Sequence, residues 1–470
     1  MNPEDVCFLD AVGIAELIRV RDISPVEVLQ SHMDRIDRVN PKINAIVTIA
    51  PDVMENARRA ESAINSGHVL GPLHGVPFTI KDCFDTKNLR TTRGSNLFGD
   101  FLPSCDATVV KRLKKAGAII VGKTNTPEFA MWWETDNVIF GKTENPWMIG
   151  RTSGGSSGGE ASAIASGLTP IGVGSDLGGS IRQPAAFCGI FGLKATHGLI
   201  PFTGHWPDIG ARHFHAGPLA RSARDIELLV SILSGPDSID PYSVVAVHDS
   251  ASKASHKLPR LKVGCCVQGP FSPVDKEVES VVLSAAKALE EIGCDVEEAD
   301  LNEWECYPPI EISSTLFRVE AEHKIATVIK GKEEHLAPSM QIRATFPKPS
   351  IDEYVTAIEN TERLKKSMAQ YFSKYDLLLC PTSPVSAIPH GSKKLEISGQ
   401  TISARNTLRA TVPFNLTGSP AISIPFGRNS DDLPVGVQLV GRHLNERVLL
   451  RTASSLEGFI QNPNRRPVFH

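Results

Sequence analysis

Apolar positions in this chain repeat with helical spacing in some segments and form short continuous runs in others. Leu29, Met33 and Ile36 recur on one helix face directly after Ser24-Pro25-Val26-Glu27, which has the form of a capping box with proline at the first helical position. This pattern predicts an amphipathic helix from about Pro25 to Val39. Continuous apolar runs bounded by glycine, proline or charged residues predict buried strands instead.

The same criteria assign most of the remaining chain. They predict helices at about 52–65, 108–116, 160–166, 221–233, 272–293 and 446–456, and strands at about 44–50, 78–80, 118–121, 190–193, 261–267, 294–297, 377–380, 421–425 and 435–440. The region from about 300 to 375 is predicted to be mostly helical, and a polar stretch at about 234–260 to be a surface connection. Strands that alternate with helices over most of the length predict one large α/β domain with a mixed β-sheet.

The composition is that of an ordinary soluble globular protein, with 41% hydrophobic and 22% charged residues. The 470 residues suffice for two or three average domains, or for one large α/β domain. The formal net charge of −4 comes with mixed signs and no basic stripe, so we expect no nucleic-acid partner. The chain starts without a signal-peptide pattern and has no apolar run near the roughly 18–20 residues that span a bilayer, so we expect a cytoplasmic protein without membrane contact.

The cysteine and histidine patterns indicate neither a disulfide framework nor a metal site. The nine cysteines are an odd number and never form Cys-x-x-Cys, and Cys265-Cys266 has the pattern of buried strand residues. The closest histidine cluster, His213 and His215, lacks a third ligand at metal-binding spacing. We therefore expect no metal and no cofactor.

Two glycine-rich segments carry the candidate chemistry. They are Arg151-Thr152-Ser153-Gly154-Gly155-Ser156-Ser157-Gly158-Gly159 and Gly174-Ser175-Asp176-Leu177-Gly178-Gly179-Ser180. Glycine leaves backbone N–H groups free to point at a ligand and permits positive φ. Two such segments, each with serine hydroxyls, predict a cavity in which these hydroxyl oxygens take part in the chemistry.

Other interpretations of these glycines agree less well with the sequence. A flexible linker would not be followed at once by the small apolar residues Ala161 to Ala165. A phosphate-binding P-loop requires lysine where Glu160 stands, and a dinucleotide fingerprint requires glycine where Leu177 stands. Gly154-x-Ser156-x-Gly158 matches a hydrolase nucleophile elbow, but that elbow follows a strand directly, and the residues before it, including 150–152, are predicted to be loop.

A serine nucleophile needs a base, and Lys81 is the strongest candidate. None of the fourteen histidines lies in or beside either glycine-rich segment. Lys81 ends the apolar run Gly75-Val76-Pro77-Phe78-Thr79-Ile80, and burial there would lower its pKa until it is neutral at working pH. Taken alone, the segment also fits a solvated lysine beside Asp82. Ser250-Ala251-Ser252-Lys253 also fits a Ser-x-x-Lys pattern, which we attribute to chance.

Taken together, these segments resemble the amidase signature family, and the resemblance covers nearly the whole chain. It is carried, in order, by Gly75–Asp82, Gly122–Glu128, Phe140–Trp147, Gly154–Gly159, Gly174–Arg182 and Thr411–Ala421. The joint occurrence of these segments in this order is highly specific. The resemblance implies a catalytic domain at 71–470 with a twisted, mixed sheet covered by helices on both faces. An N-terminal helical segment, 1–70, would pack on this core, and 300–375 would lie on the substrate side.

The resemblance also assigns a catalytic triad. Ser180 would be the nucleophile that forms an acyl-enzyme, and Lys81 the general base. Ser156, joined to Gly155 by a cis peptide bond, would relay the proton between them. The oxyanion hole would consist of the backbone N–H groups of Leu177, Gly178, Gly179 and Ser180. Side chains expected to hydrogen-bond within the site or to anchor it are Ser157, Ser175, Asp176 and Arg182.

Aromatic residues near the motifs suggest the kind of substrate. Met131, Trp132 and Trp133 follow the Thr-Asn-Thr-Pro motif, and Phe202 and Trp206 could add further walls, since large rigid side chains suit apolar or aryl groups. Core packing is the alternative for the tryptophans. We expect hydrolysis of carbon–nitrogen bonds in apolar or aryl amides, with anilides, carbamates (urethanes) and esters as related substrates.

The expected partner is a small-molecule substrate, and the expected state is a monomer or homodimer. The alternative within the family is the glutaminase (A) subunit of a tRNA-dependent amidotransferase, which works only with partner subunits. Against it, residues 350–370 contain no Tyr-Tyr-Asp-type segment, and Leu408 stands where the resemblance implies an aspartate for the glutamine amino group. A non-catalytic binding module is a third class, and it predicts that Ser180→Ala leaves function intact.

Overall fold

The computed structural model describes residues 1–208, 212–245, 260–345, 347–460 and 465–469. Its helices are α1 (Pro3–Phe8), α2 (Ala11–Val20), α3 (Pro25–Ile43), α4 (Val53–Asn65), α5 (Thr108–Lys115), α6 (Gly158–Ala165), α7 (Arg182–Cys188), α8 (Ala223–Leu233), α9 (Lys276–Glu291), α10 (Pro309–Glu320), α11 (Glu322–Ile329), α12 (Pro338–Ala344), α13 (Ile351–Lys374), α14 (Val412–Thr417) and α15 (Glu446–Glu457). Its strands are β1 (Ile46–Ile49), β2 (Pro77–Lys81), β3 (Ile119–Thr124), β4 (Glu144–Asn145), β5 (Met148–Thr152), β6 (Ile171–Asp176), β7 (Phe191–Lys194), β8 (His215–Ala220), β9 (Lys262–Cys265), β10 (Asp295–Glu298), β11 (Leu377–Pro381), β12 (Lys394–Ile397), β13 (Gln400–Ser403), β14 (Ala421–Arg428) and β15 (Pro434–Gly441).

Eleven of the strands form one mixed sheet. Its order is β1-β3-β2-β6-β8-β7-β14-β15-β11-β9-β10. Strand β2 is parallel to β3 and β6, and β9 is parallel to β10 and β11, whereas the other neighbours are antiparallel. Helices α6 and α7 pack on the strands and on each other, and α8, α9 and α15 form another group against the sheet. The α/β fold with a mixed sheet core, predicted from the alternation of strands and helices, is confirmed.

The N-terminal segment contributes both helices and a strand. The capping box predicted at Ser24 is present, since Ser24 Oγ accepts from the Glu27 N–H at 3.1 Å and Glu27 Oε2 accepts from the Ser24 N–H at 2.8 Å. Strand β1 pairs antiparallel with β3 and forms one edge of the main sheet. Residues 1–70 are therefore joined to the core through backbone hydrogen bonds, and their division from 71–470 stays a prediction.

Six strands differ from the sequence prediction, among them β4, which occupies residues predicted as loop, and β12 and β13, which lie where no element was assigned. Strand β5 occupies residues predicted as loop, β6 includes Gly174-Ser175-Asp176 of the second glycine-rich segment, and β8 lies where no element was assigned. Strand β6 contains glycines, and not a continuous apolar run, for a steric reason. A Cβ atom at Gly172 would overlap the Glu160 carboxylate, and one at Gly174 would lie 2.6 Å from Ser157 Oγ. Glycines required by this packing break the apolar pattern from which strands are predicted.

The strand β5 does not turn the first glycine-rich segment into a nucleophile elbow. It ends at Thr152, so residues 153–155 still separate it from Ser156. The Ser250-Ala251-Ser252-Lys253 pattern, with part of the predicted 234–260 connection, lies outside the described residues. In the part of the chain that the structure describes, no helix is both long enough and apolar enough to cross a bilayer.

The parallel pair of β2 and β6 positions the candidate site. Parallel strands end at the same edge of a sheet, and open α/β sheets bind ligands at their carboxyl ends. Lys81 is the last residue of β2 and Asp176 is the last residue of β6. The second glycine-rich segment continues from β6 into α7, and the first leads into α6, so both segments meet at this edge.

Candidate active site

Lys81 is completely buried at the carboxyl end of β2. Its Nζ atom lies 2.6 Å from Ser156 Oγ and 3.0 Å from Ser175 Oγ. Burial lowers the pKa of Lys81 to about 8, although nearby thiol and carboxyl groups oppose the shift. The alternative of a solvated lysine is therefore wrong, and the amine can be neutral under mild conditions, as a general base requires.

Ser156 lies in the turn between β5 and α6. The peptide bond between Gly155 and Ser156 is cis. The Gly155 N–H donates to Gln183 Oε1 at 3.0 Å, and a Cβ atom at Gly155 would lie 2.6 Å from the backbone nitrogen of Glu134. Only glycine fits this close approach of two backbone segments. The turn thus holds the Ser156 hydroxyl against Lys81.

The second glycine-rich segment lies directly beside the first. The Ser157 N–H donates to the carbonyl oxygen of Ser180 at 3.1 Å. Ser180 is 8% exposed and Ser156 only 1%, so Ser180 is the more accessible of the two serines. In the described part of the chain no hydrogen bond joins Ser156 Oγ to Ser180 Oγ. Catalytic hydrogen bonds are often loose in a free enzyme and tighten when substrate binds.

Gly179 is fixed by both conformation and space. Its φ of +128° favours glycine, and a Cβ atom there would overlap the Thr411 hydroxyl group. The Gly179 N–H donates to Asp176 Oδ1 at 2.7 Å, so it is not a free oxyanion donor. The predicted oxyanion hole is corrected at this residue. The other three residues, Leu177, Gly178 and Ser180, line a cavity, and their role stays a prediction.

An ion pair between Asp176 and Arg182 anchors the second segment in the interior. Both side chains have no solvent exposure, and Arg182 Nε and Nη2 donate to the carboxylate at 3.0 and 2.9 Å. Arg182 also donates to Asn415 Oδ1 at 2.6 Å and to Gln438 Oε1 at 2.8 Å. Burial alone would raise the pKa of Asp176, but the Arg182 guanidinium more than offsets this and holds the pKa well below its usual range. The carboxylate therefore stays charged.

His205 joins the site although it is far from both glycine-rich segments in sequence. Its Nε2 lies 2.9 Å from Ser175 Oγ, and its Nδ1 lies 3.0 Å from the Pro207 carbonyl oxygen. Because a carbonyl oxygen only accepts, we assign the proton to Nδ1, and Nε2 then accepts from the Ser175 hydroxyl. Burial holds the pKa of His205 well below its usual range, so the ring is neutral. Sequence reasoning missed this residue because no motif includes it.

His213 and His215 lie behind the second segment rather than in a metal site. His215 Nδ1 lies 2.9 Å from the His213 carbonyl oxygen and 3.3 Å from that of Asp176. Burial lowers the pKa of His213 to about 3, and also holds the pKa of His215 well below its usual range. Among the residues that the structure describes, no group of three or more His, Cys, Asp or Glu side chains could hold a metal ion.

A cavity of about 260 Å³ opens on Ser180. Met131, Trp132 and Trp133 contribute to its lining, and the two tryptophan rings stack with centroids 3.7 Å apart. Helices α10 and α12 supply another part of the lining, which includes Phe317. The helical region at 300–375 thus borders the cavity.

Phe202 and Trp206 belong to the core rather than to this cavity. Phe202 packs against the ring of His205, with centroids 4.1 Å apart, and Trp206 packs against Phe129 at 4.9 Å. Both side chains are buried. The predicted substrate wall is therefore wrong for these two residues, because aromatic side chains suit a core as well as a pocket.

Residues 27–450 match the family model described as Amidase. The chain belongs to the amidase signature family. A solved 6-aminohexanoate cyclic dimer hydrolase in complex with its substrate is 31% identical, with a TM-score of 0.87, over 98% of this chain and 99% of that one. A bacterial aryl acylamidase of the amidase signature family is 27% identical, with a TM-score of 0.87, over 98% and 97%. The predicted family and single-domain fold are confirmed, and the chain is an amidase signature hydrolase.

Other amidase signature relatives are named as subunits of a larger enzyme. A glutamyl-tRNA(Gln) amidotransferase subunit of Carboxydothermus hydrogenoformans is 35% identical over 98% of this chain and 99% of the relative. The subunit of the same name from Moorella thermoacetica is 34% identical over the same shares. The solved structure of the corresponding subunit from Thermotoga maritima is 29% identical, with a TM-score of 0.76, over 98% and 96%.

These names contradict our expectation about partners. We expected a small-molecule substrate, no nucleic acid and a monomer or homodimer. The relatives are instead named as one subunit of an enzyme for glutamyl-tRNA(Gln). The expectation is therefore wrong. Its exclusion of nucleic acid was based on the net charge of this chain alone, which carries no information about partner subunits.

Proposed function

We propose that this chain hydrolyses carbon–nitrogen amide bonds through an acyl-enzyme on Ser180, with Ser156 as proton relay and Lys81 as base. The observation that carries the proposal is the 2.6 Å contact between Lys81 Nζ and Ser156 Oγ in a buried site. A buried lysine of lowered pKa that touches a serine hydroxyl is suited to remove its proton.

The hydrogen bonds around Ser175 support this direction of proton transfer. The Ser175 hydroxyl donates to His205 Nε2, so Ser175 Oγ accepts from Lys81. An N–H bond of neutral Lys81 then points to Ser175, and the lone pair of the amine is left for the Ser156 hydroxyl proton. His205 is on this account a positioning residue, because it acts on Lys81 through Ser175.

The reaction then proceeds in balanced steps. Lys81 takes the proton of Ser156, Ser156 takes that of Ser180, and Ser180 Oγ attacks the carbonyl carbon of the amide. The negative charge that develops on the carbonyl oxygen is stabilised by the N–H groups of Leu177, Gly178 and Ser180. When the carbon–nitrogen bond breaks, the relay runs in reverse and protonates the leaving amine. Water then attacks the acyl group through the same relay and restores Ser180.

Two candidate substrates have different support. The named relatives support the side-chain amide of glutamine, cleaved by this chain as the glutaminase (A) subunit of a glutamyl-tRNA(Gln) amidotransferase. The lining of the cavity supports an amide with an apolar or aryl group, because Trp132, Trp133 and Leu408 line it. Leu408 offers no charge to the amino group of glutamine. Anilides, carbamates and esters belong with the second candidate.

Activity measurements on the purified chain separate the two candidates. The chain is incubated with L-glutamine, alone and with the other subunits of a bacterial glutamyl-tRNA(Gln) amidotransferase, and in parallel with the 4-nitroanilide of pentanoic acid. Ammonia release from glutamine with no cleavage of the anilide supports the amidotransferase role. Cleavage of the anilide with no reaction of glutamine in either condition supports the apolar amide.

Labelling by a serine-directed fluorophosphonate tests the chemistry that both candidates share. The adduct is expected on Ser180, and Lys81→Ala is expected to abolish hydrolysis while the protein stays folded. Lys111→Ala, which removes an exposed lysine of α5, is the matched control and should keep full activity. An adduct on Ser156, or substantial turnover by Lys81→Ala at neutral pH, would contradict the assignment.

A further inference from the structure

Three arginines line the cavity that opens on Ser180. They are Arg318 of α10, Arg343 of α12 and Arg405 of the short helical turn Ala404–Leu408. Among the described residues, no aspartate or glutamate lines this cavity. A cavity lined by cations without carboxylates has a positive potential, which attracts anionic groups.

Two of these arginines are held by one carboxylate. Arg343 Nε lies 2.6 Å from Glu322 Oε1, and Arg318 Nε lies 3.7 Å from Glu322 Oε2. The guanidinium of Arg343 also lies over the ring of Phe317, 4.7 Å from its centroid. Glu322 itself does not line the cavity, so the charged side chains among the lining residues are the three arginines.

Arg405 has no such partner. Within the described residues no ion pair includes it, and its hydrogen bond is a long one, 3.4 Å from Nη1 to Ser314 Oγ. Burial and the positive charge of Arg343 lower the pKa of Arg405 to about 10, against the opposing effect of Glu311. A half-buried guanidinium without a carboxylate gains most from an anionic ligand, with which it can form two parallel hydrogen bonds.

We propose that Arg405 is a specificity-determining residue that binds a carboxylate on the substrate. The cavity then selects amides with an apolar or aryl segment, packed against Trp132 and Trp133, and an anionic end at Arg405. This inference rests on the proposed function in one respect, namely that the substrate binds in this cavity. Aryl amide acids and glutamine share the carboxylate, so the test includes a probe for each.

Equilibrium binding measured by calorimetry tests the proposal without any turnover. The probes are 4-phenylbutyrate, its neutral counterpart 4-phenylbutan-1-ol, and L-glutamine. The wild-type protein is expected to bind 4-phenylbutyrate about tenfold or more tightly than the alcohol, since a guanidinium pairs with the carboxylate alone. Arg405→Gln is expected to lose this difference and Arg405→Lys to keep part of it. Arg363→Gln, which removes an exposed arginine of α13, is the control and should leave both affinities unchanged.

Several results would overturn the proposal. Equal affinities of the wild-type protein for the acid and the alcohol would do so, as would a preference that survives in Arg405→Gln with an unchanged melting temperature. L-glutamine that binds more tightly than 4-phenylbutyrate, in a manner that depends on Arg405, would overturn the aryl part of the substrate class.

Hydrolysis of the 4-nitroanilide of pentanoic acid distinguishes this failure from failure of the proposed function. If Lys81→Ala hydrolyses the anilide as fast as the wild-type protein while Arg405 still selects the acid, the catalytic proposal fails and the anion site stands. If Lys81→Ala is inactive and no selection for the acid is found, the anion site alone fails.

Discussion

Ser175 Oγ and His205 Nε2 lie 2.9 Å apart in the interior, and the Pro207 carbonyl group fixes which ring nitrogen accepts. With phenylalanine at position 205, the Ser175 hydroxyl loses its acceptor and can donate to Lys81 instead. His205→Phe is therefore expected to lower kcat by about 100-fold with little change in KM, because the amine lone pair no longer faces Ser156. His205→Gln, whose amide oxygen can replace Nε2, should recover part of the rate in steady-state kinetics. An equal loss of kcat in both variants would mean that His205 contributes through packing and not through its hydrogen bond to Ser175.

The lowered pKa of Lys81 predicts a pH dependence. Burial lowers that pKa to about 8, and the amine acts as a base only when it is neutral. The value of kcat/KM is expected to rise about tenfold per pH unit below the pKa and to level off above it. The measurement is kcat/KM against pH at constant ionic strength. A value that falls as the pH rises from about 6 to about 8 would mean that the charged lysine is the active form.

Asp176→Asn is expected to destabilise the fold. It leaves the Arg182 guanidinium without its counter-charge in the interior, and the loss of one partner of a buried ion pair costs about 3–5 kcal/mol. The free energy of unfolding in urea measures this loss. Asp431→Asn is the control, because Asp431 pairs with Arg151 at the surface, and it should change the free energy of unfolding by less than about 1 kcal/mol. Similar losses of unfolding free energy in the two variants would show that the buried pair contributes no more to stability than the surface pair.

Gly179→Ala is expected to remove activity and to destabilise the protein. Gly399→Ala is its control, since both glycines have positive φ, and at Gly399, with a φ of +79°, alanine costs about 1–2 kcal/mol. Only at Gly179 does the added Cβ atom also overlap the Thr411 hydroxyl, whereas Gly399 has open space around it. Activity assays and thermal unfolding of the two variants measure the difference. Full activity in Gly179→Ala would mean that this turn can relax without harm to the site.

The residues of the proposed relay were predictable because each lies within a local motif. The apolar run before Lys81 predicted β2, and the end of a strand is where open sheets place their functional groups. Strand β6 was not predictable in the same way. Gly172 and Gly174 are required by the side chains of Glu160 and Ser157, which pack where Cβ atoms would stand. Packing of the preceding helix α6 and the turn before it thus removed the apolar signal of a strand.

His205 and the arginines of the cavity were beyond sequence reasoning for a different reason. Arg318, Arg343 and Arg405 come from three separate elements, and no spacing along the chain relates them. Phe202 and Trp206 were predicted to line the cavity because their side chains are aromatic. In the tertiary structure both pack in the core. Contacts between elements distant in sequence determine these features.

The position of strand β1 has a consequence for the handling of this enzyme. This strand covers β3 and supplies partners for its backbone N–H and C=O groups along one edge of the sheet. A shortened chain that begins after residue 50 would expose β3, whose residues are otherwise buried, as an open template for pairing with another molecule. Such a truncation is expected to yield aggregates. The first fifty residues therefore prevent self-association through β3, in addition to contributing to the core.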